Sequence, residues 1–309
     1  MNATKYDAII IGGGPAGLSA ALVLGRARRK IILIDEGHPR NEVESHVGGF
    51  LTQDGTPPFE LIKIATEQIL KYPTTEIQKG VIKSIELVDN EFNTTLTYGT
   101  KINSRKVLLA PGLIMEIPNI PGYKENWGPN IFHCPFCSGW EHQDQKVIVN
   151  VNKEKYLKKG TFLSCWTKNL TFVVSDKIKI DSEFQRQIDL INGKVIHGEI
   201  KSIQSENGKL KGVQLTNEEF VECESIFHGP EESLPTFVKD LGLKLSEFGL
   251  IEINNKYQTS IEGIFAAGDI SNPMSQGIIA AANGHYAGIN IHRNLYDEEN
   301  KVPEKYRVF

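Results

Sequence analysis

The feature that most constrains this chain is a glycine-rich turn near its N-terminus, in the segment AIIIGGGPAGLSAAL. Gly12, Gly14 and Gly17 follow an apolar strand and open a helix with GxGxxG spacing. In that setting the first glycine makes a tight turn, the second lets the backbone approach a pyrophosphate, and the third lets helix and strand pack closely. The N–H groups and the positive dipole end of the helix favour phosphate.

A second apolar strand ends at Asp35, about 20 residues further on, where an acidic side chain accepts from a ribose hydroxyl. The segment therefore predicts a dinucleotide-binding βαβ unit.

Composition is that of an ordinary globular chain without a strongly charged binding surface. The length of 309 residues favours about two domains. Hydrophobic residues make up 40% and charged residues 23%, which is ordinary for a globular protein with a full core. The net charge is −4 and no basic block occurs, which argues against nucleic acid or an anionic membrane as a partner. The longest apolar run, residues 8–11, is too short to span a membrane and lacks the flanks of a signal peptide. We therefore expect a cytoplasmic protein.

The central segment HCPFCSGWEHQD, residues 133–144, gathers side chains that bind metals or exchange electrons. His133, Cys134, Cys137 and His142 are ligand types that zinc accepts. However, only four residues separate Cys137 from His142, and zinc fingers leave a longer loop between ligand pairs. A CxxC at a helix N-terminus favours the thiolate, the form that attacks disulfides and flavins. A redox dithiol without metal is the favoured interpretation, and a zinc site or a purely structural turn are the alternatives.

The other two cysteines do not extend this motif. Four cysteines in a cytosolic chain of this length do not suggest a disulfide framework. Cys165 and Cys223 stand alone in apolar contexts, and we expect both to be small buried side chains.

Two later strands and a helix bear on which dinucleotide binds. The segment KVLLAPG, residues 106–112, predicts a buried strand that ends in a Pro-Gly turn, and GIFAAGDI, residues 263–270, predicts another that ends in Gly-Asp. A carboxylate at such a strand end can bind a ribityl hydroxyl, or an ordered water near the diphosphate. The apolar helix that begins near Gln276 could direct its N-terminus at a flavin ring.

Taken in this order, the motifs resemble the FAD domain of the flavoprotein disulfide reductases with two dinucleotide-binding domains. Almost the whole chain is similar to the low-molecular-weight thioredoxin reductase family. The segments that carry the resemblance are GGGPAG at residues 12–17, APG at 110–112, CPFC at 134–137 and AAGDI at 266–270.

The resemblance implies an α/β fold with two Rossmann-like domains. The FAD-binding domain, residues 1–112 and 232–309, would be split by an inserted CxxC-bearing domain, residues 113–231. FAD would be the cofactor, Cys137 the sulfur that faces the flavin and Cys134 the outward sulfur that attacks the partner. The protein would be a homodimer and act on a thioredoxin-like protein or a small dithiol or disulfide. The cofactor-binding residues implied are Gly12, Gly14, Pro15, Ala16, Gly17, Asp35, Arg40, Asn41, Gly112, Gly268, Asp269, Gln276, Gly277 and Ile278.

The inserted segment departs from the family where NADPH would bind. Strands over 146–151 and 170–176 and a helix over 152–166 are predicted, but no glycine occurs between Lys146 and Lys159. The turn is Asn150-Val151-Asn152-Lys153, whose β-carbons keep the backbone from a pyrophosphate. Ser175-Asp176-Lys177 stands where the family has arginines for the 2′-phosphate, and a carboxylate there repels phosphate. NADPH binding through the lysines at 153, 155, 158 and 159 is the alternative.

A second departure follows the second cysteine. The family has an acid there that exchanges protons with the outward thiolate, and this chain has Ser138. His133 or His142 would take the role, since histidine titrates near neutrality. CPFCSGWE and DEGHPRN, residues 35–41, resemble a subgroup with histidine after the second cysteine, which includes fungal oxidases of epidithiol natural products.

The sequence thus predicts an FAD-dependent dithiol/disulfide oxidoreductase of thioredoxin reductase type. Electrons would pass between the flavin and the Cys134–Cys137 pair and on to a partner, with NADPH not used directly. A ferredoxin-type protein or a substrate dithiol would supply them. The alternatives are an NADPH-dependent thioredoxin-disulfide reductase with an atypical nucleotide site, a dithiol oxidase that uses oxygen, and a flavin- or zinc-binding protein without activity.

Overall fold

The computed structural model describes residues 5–307, which fold into two compact units. The first unit comprises residues 5–42, 50–114 and 233–307, and the second comprises Val43–Gly49 and Met115–Glu232. The sequence places domain limits after residues 112 and 231, and the chain changes unit after residues 114 and 232. The structure also assigns Val43–Gly49 to the second unit, whereas the sequence leaves this segment in the FAD-binding half.

The first part of the chain alternates strands and helices and then forms an antiparallel meander. Its elements are β1 (Lys5–Ile11), α1 (Pro15–Arg26), β2 (Ile31–Asp35), α2 (Pro58–Ile69), β3 (Thr75–Lys79), β4 (Ile82–Val88), β5 (Glu91–Leu96) and β6 (Lys101–Leu109).

The middle part is built mainly from strands with short helices between them. Its elements are β7 (Ile114–Glu116), α3 (Tyr123–Asn126), β8 (Ile131–Phe132), α4 (Pro135–Ser138), β9 (Lys146–Val151), α5 (Lys155–Thr161), β10 (Asn169–Val174), α6 (Ser182–Leu190), β11 (Lys194–His197), β12 (Ile200–Glu206), β13 (Lys209–Leu215), β14 (Phe220–Glu222), β15 (Ser225–Phe227) and β16 (Glu231–Ser233).

The last part returns to the first unit and ends in a long helix. Its elements are α7 (Thr236–Lys239), β17 (Ile264–Ala266) and α8 (Gly277–Glu299).

The sheet of the first unit has the strand order β3-β2-β1-β6-β5-β4, with β17 also paired to β6. Strands β3, β2, β1, β6 and β17 run parallel, while β5 is antiparallel to β6 and to β4. Residues 8–11 of β1 and 31–34 of β2 are continuous apolar runs, as expected for parallel strands buried on both faces. Because β1 leads to β2 on one side and pairs with β6 on the other, the strand order reverses there. Ligands bind beyond the carboxyl ends of the strands at such a point.

The second unit contains a parallel sheet in the order β11-β10-β9-β15-β8 and an antiparallel sheet in the order β12-β13-β14. The chain leaves β9 for β10 on one side, and β15 lies on the other side. The order therefore reverses between β9 and β15, which is where a nucleotide would bind in a fold of this kind. The predicted α/β class with Rossmann-like parallel sheets is confirmed.

Two local predictions about the segment after β9 differ from the structure. The helix predicted up to residue 166 ends at Thr161, and Phe162–Cys165 forms a tighter 3₁₀ turn. Gly160 and the β-branched Thr161 have low helix propensity, and such sequences often close in a 3₁₀ turn. Cys165 is exposed at the end of this turn, so the prediction that it is buried is wrong, whereas Cys223 is buried as predicted.

Among residues 5–307, none of the helices combines the length and the apolar character needed to cross a bilayer.

Helices α1 and α8 pack together through glycines whose α-carbons touch the facing backbone. A β-carbon added at Gly284 would lie 1.9 Å from the carbonyl oxygen of Ala16. Replacing a helical glycine that lies in open space by alanine stabilises a protein by about 1 kcal/mol. Here the helices would have to separate, so we expect Gly284→Ala to lower the free energy of unfolding by about 2 kcal/mol.

Urea denaturation of the purified variant measures this change. Ala282→Ser, at an exposed position of the same helix, is the control and should stay within about 0.5 kcal/mol of the original protein. A Gly284→Ala protein that is more stable than the original would contradict the proposed close approach.

Candidate functional site

The glycine turn after β1 is held against the end of β6. Gly12 has a φ of +105°, and a β-carbon there would lie 2.1 Å from the carbonyl oxygen of Ala110. A β-carbon at Gly17 would lie 1.9 Å from the carbonyl oxygen of Gly12. Neither position therefore has room for a side chain. At Gly12 the positive φ also disfavours any residue other than glycine. The turn places the N-terminus of α1 at the carboxyl end of β1.

The entrance of α1 has the space and the charge for a pyrophosphate. Gly14 is the N-cap, and a β-carbon there would have no described atom within 4 Å. Pro15 occupies the first helical position, where its missing N–H costs no hydrogen bond. The first turn contains no acidic residue, and no side chain of the described residues caps it. Its N–H groups and dipole therefore face open space, as an anion site requires.

Asp35 ties this turn to the end of β2. One carboxylate oxygen accepts from the N–H of Gly13 at 2.7 Å, and the other accepts from the N–H of Gly37 at 2.9 Å. The sequence predicts a ribose contact for this side chain. Because a carboxylate oxygen can accept more than one hydrogen bond, the ribose contact stays a prediction beside this structural role.

The Gly-Asp turn after β17 carries an ion pair that the sequence does not indicate. The guanidinium Nη1 of Arg40 donates to a carboxylate oxygen of Asp269 at 2.8 Å, and each side chain is less than one-fifth exposed. Gly268 has a φ of +79° and packs against Ala16, on the first turn of α1. Two residues predicted to contact the cofactor thus hold each other beside the phosphate turn.

The remaining predicted cofactor residues lie at turns and at the start of α8. Gln276 is the N-cap of α8, and its carbonyl oxygen accepts from the N–H of Ala280 at 2.8 Å. Gly277 faces the ring of Phe50, and Ile278 is partly exposed. Gly112 has a φ of +71° with open space around it, and Asn41 is half-buried.

The cysteine pair lies in the second unit, at a one-turn helix. Cys134 is the N-cap of α4, and it is joined to Cys137 by a disulfide that holds the two α-carbons 5.3 Å apart. The carbonyl oxygen of Cys134 accepts from the N–H groups of Cys137 and Ser138, both at 3.2 Å. The predicted helix start at the CxxC is confirmed. Within residues 5–307, no three His, Cys, Asp or Glu side chains form a group that would hold a metal ion.

The two histidines predicted to exchange protons pack against aromatic rings. His142 is buried, stacks on Phe132 at 4.6 Å between ring centroids, and has its Nδ1 3.0 Å from the side-chain oxygen of Gln145. Burial lowers the pKa of His142, so its imidazole is neutral at pH 7. His133 is half-buried and stacks on Trp127 at 5.7 Å. The roles predicted for both stay predictions.

A segment that the sequence analysis missed lies beside the cysteines. A β-carbon at Gly48 would lie 2.2 Å from the carbonyl oxygen of Cys137, so the two backbones touch. Two residues earlier, Nε2 of His46 lies 2.9 Å from a carboxylate oxygen of Glu141. Glu44 completes this group with a raised pKa of about 7, caused mainly by burial. No spacing rule relates residues 44–48 to residue 141, and only the folded unit brings them together.

The crevice between β9 and β15 is filled by side chains of the second unit. His228 is buried directly after β15, with Nδ1 2.8 Å from the hydroxyl of Tyr123 and Nε2 3.0 Å from the amide nitrogen of Asn152. The ring of Tyr156 lies against Gly229, where a β-carbon would be 2.0 Å from it. Burial lowers the pKa of His228 to about 4, so it carries no charge at pH 7. The side chains of Tyr123, Asn152, Tyr156 and His228 thus form a packed network after β9 and β15.

Charged and hydrogen-bonded side chains follow the ends of β9 and β10. Lys153, just before α5, forms an ion pair with Glu231, and Glu154 is the N-cap of that helix. At the end of β10, the hydroxyl of Ser175 donates to Glu199 at 2.6 Å, and Asp176 is exposed beside it. Carboxylates therefore lie near the carboxyl ends of both β9 and β10.

Comparison with known proteins identifies the family. The chain matches the family model described as pyridine nucleotide-disulphide oxidoreductase over residues 6–153 and 184–288. It is 31% identical to "Thioredoxin reductase sirT" of Leptosphaeria maculans over 305 residues, which cover 93% of each chain. The crystal structure of HlmI superposes with a TM-score of 0.91 at 29% identity, covering 96% of this chain and 94% of HlmI. The putative thioredoxin reductase TrxB of Bacillus anthracis superposes with a TM-score of 0.88 at 33% identity, covering 94% of this chain and 99% of that protein.

The cofactor follows from the family and from the cradle of the first unit. Pyridine nucleotide-disulphide oxidoreductases and thioredoxin reductases are FAD-binding flavoproteins. The glycine turn, the uncapped start of α1 and the open space at Gly14 fit a dinucleotide pyrophosphate. FAD is therefore the cofactor of this chain. The chain belongs to the pyridine nucleotide-disulphide oxidoreductase family and is an oxidoreductase of thioredoxin reductase type.

Proposed function

We propose that this oxidoreductase exchanges electrons between its flavin and the Cys134–Cys137 pair, and between that pair and a partner dithiol or disulfide, without taking NADPH directly. The observation that carries the proposal is the crevice between β9 and β15, which Tyr156, His228 and Asn152 occupy. This crevice is the nucleotide position in a doubly wound sheet.

Binding NADPH there would require the side-chain network to be broken without a matching gain. His228 would lose buried hydrogen bonds to Tyr123 and Asn152, and each buried polar group left without a partner costs about 1–3 kcal/mol. The pyrophosphate would then meet β-carbons instead of glycines, and the carboxylates of Glu154 and Glu231. Lys153 is held by Glu231, which weakens the alternative in which the lysines of this segment bind NADPH.

In the first unit, the chain's own groups would hold FAD at the turn after β1. The N–H groups at the start of α1 would bind the pyrophosphate, because Gly14 leaves that space open. Asp35 fixes the turn and would accept from the ribose, while Asp269, oriented by Arg40, would accept from a ribityl hydroxyl. The start of α8 at Gly277 and Ile278 would border the ring. Bound FAD supplies a two-electron acceptor and donor for thiols.

In the second unit, Cys134 is proposed as the sulfur that reacts with the partner and Cys137 as the sulfur that reacts with the flavin. A partner thiolate attacks Cys134, the Cys134–Cys137 bond breaks, and Cys137 leaves as a thiolate with the electron pair. The partner's second thiol then displaces Cys134, which forms the partner disulfide and leaves both cysteines reduced. Phe136 and Trp140 are exposed beside the cysteines, which supports contact with an apolar partner surface.

The partner would be a thioredoxin-like protein or a small dithiol, since several relatives carry the name thioredoxin reductase. The electron source would be a ferredoxin-type protein or the substrate dithiol itself, with oxygen as the acceptor in the second case. We further propose a homodimer in the cytoplasm, where a dithiol of this kind cycles in a reducing environment.

The cofactor assignment predicts the effect of one substitution. Gly14→Val should fold, because no described atom lies within 4 Å of the new β-carbon, but it should lose FAD because the side chain fills the pyrophosphate position. The ratio of flavin absorbance to protein absorbance measures bound flavin, and thermal unfolding checks the fold. A folded Gly14→Val protein with full flavin would contradict this site.

The dithiol assignment predicts different results for its two sulfurs. Cys134→Ser should keep FAD bound and abolish exchange with partner disulfides, because the attacking sulfur is gone. Cys165→Ser, which removes an exposed thiol outside the pair, is the control and should exchange at the rate of the original protein. Disulfide turnover by Cys134→Ser at the original rate would overturn the assignment.

The electron source is tested by anaerobic stopped-flow mixing, followed at the flavin absorbance. We expect NADPH and NADH to bleach the flavin very slowly, and reduced ferredoxin or a dithiol to bleach it quickly. If the flavin absorbance returns in air after a dithiol has bleached it, the result would favour a dithiol oxidase that passes electrons to oxygen. Fast bleaching of the flavin by micromolar NADPH would overturn the proposal. If the Lys153→Ala protein then no longer bleached with NADPH, the lysine segment would be identified as an atypical nucleotide site.

A further inference from the structure

The segment Val43–Gly49 is attached to the cysteine-bearing unit at both of its ends. A β-carbon at Gly128 would lie 2.6 Å from the carbonyl oxygen of Val43, and a β-carbon at Gly48 would lie 2.2 Å from that of Cys137. Close backbone contact at both positions fixes the path of the segment. The segment therefore runs beside the backbone of the turn that contains Cys137, although it is distant from that turn in sequence.

His46 makes a third attachment, to the chain that follows the CxxC helix. Its Nε2 lies 2.9 Å from a carboxylate oxygen of Glu141, and its Nδ1 lies 2.8 Å from the hydroxyl of Ser45. Glu141 comes four residues after Cys137. The α-carbons of His46 and Gly48 are at most about 7 Å apart along the chain, so the imidazole lies close to the turn that contains Cys137.

Glu44 adds a carboxyl group that titrates near neutral pH. Burial raises its pKa to about 7, His46 lowers this pKa and Glu141 raises it. The titratable groups that act on Glu44 are thus His46 on its own segment and Glu141 on the facing turn. His142 is the next titratable neighbour of this group, and burial keeps it neutral. Glu44 therefore gains or loses a proton close to pH 7, beside the His46–Glu141 contact.

Two other groups near the disulfide, Ser138 and His142, are less suited to this task. Ser138 stands in the position of the family's acid, but it is buried and a hydroxyl does not titrate near neutrality. His142 has a lowered pKa and lies stacked on Phe132. A group that exchanges protons efficiently needs a pKa near the working pH.

We infer that Glu44, His46 and Glu141 form the proton-exchange group of the cysteine pair, in place of the acid that Ser138 replaces. This inference rests on the proposed exchange of the Cys134–Cys137 disulfide with a partner dithiol. The first partner thiol gives its proton to this group as its sulfur attacks Cys134. The Cys134–Cys137 bond breaks, and Cys137 keeps the electron pair as a thiolate.

The second half of the exchange returns the proton. The partner's second thiolate attacks the first partner sulfur, and Cys134 leaves and takes the proton from the group as a thiol. The partner loses two electrons and two protons. The cysteine pair gains the two electrons and one proton, and the other proton passes to solvent.

Quenched-flow reduction of the oxidised FAD-loaded protein by dithiothreitol tests this inference without a flavin readout. Free Cys134 and Cys137 are trapped with N-ethylmaleimide and counted by mass spectrometry over a pH series from mildly acidic to alkaline. After correction for the thiolate fraction of dithiothreitol, the rate should show an inflection near pH 7. Glu44→Gln should remove the inflection and slow the reaction at least about tenfold at neutral pH.

Further variants separate proton exchange from a structural effect. Glu44→Asp keeps a carboxyl group and should keep an inflection. His46→Gln should move the inflection to higher pH, because His46 lowers the pKa of Glu44. His38→Gln is the matched control, since His38 pairs with Glu42 at 3.1 Å on the surface, and it should behave as the original protein.

The outcomes distinguish this inference from the proposed function. A Glu44→Gln protein that is folded and keeps the original rate and pH profile would overturn the role of the group and leave the exchange at Cys134 intact. An original protein whose disulfide is not reduced by dithiols at any pH would overturn the proposed function itself.

Discussion

The carbonyl oxygen of Ala110 lies 2.1 Å from the point where a side chain of residue 12 would begin. Because β1 and β6 are neighbouring parallel strands, their carboxyl ends meet here, and only glycine lets the chain turn away with a φ of +105°. The turn directs the N-terminus of α1 into open space, and Asp35 and the Arg40–Asp269 pair fix its borders. The proposed FAD site is thus a consequence of this one close approach between two backbones.

The second unit repeats the sheet arrangement without this close approach. Its strand order also reverses between β9 and β15, but the turn after β9 carries side chains and Gly229 accommodates a tyrosine ring. Asn152, Tyr156 and His228 therefore pack into the crevice, where Asn152 and His228 satisfy each other's hydrogen bonds. The same topology supports a ligand in one unit and an internal network in the other. The proposed choice of electron donor rests on that difference.

Much of this arrangement could be predicted from the sequence, because it depends on local patterns. The continuous apolar strands, the glycine spacing and the CxxC at a helix start each have a direct conformational meaning. The missing glycines after β9 also predict the loss of the phosphate turn. What could not be predicted depends on contacts between distant segments. The Arg40–Asp269 pair and the position of Gly48 against Cys137 have no signature in sequence spacing, and Cys165 is exposed although its neighbours are apolar.

We propose that the second unit does not bind NADPH, and equilibrium binding tests this most directly. Isothermal titration calorimetry of the oxidised, FAD-loaded protein with NADPH measures affinity without any redox step. We expect a Kd above about 1 mM, which corresponds to less than about 4 kcal/mol of binding free energy. A micromolar Kd, with protection of residues 150–156 from hydrogen exchange, would contradict it.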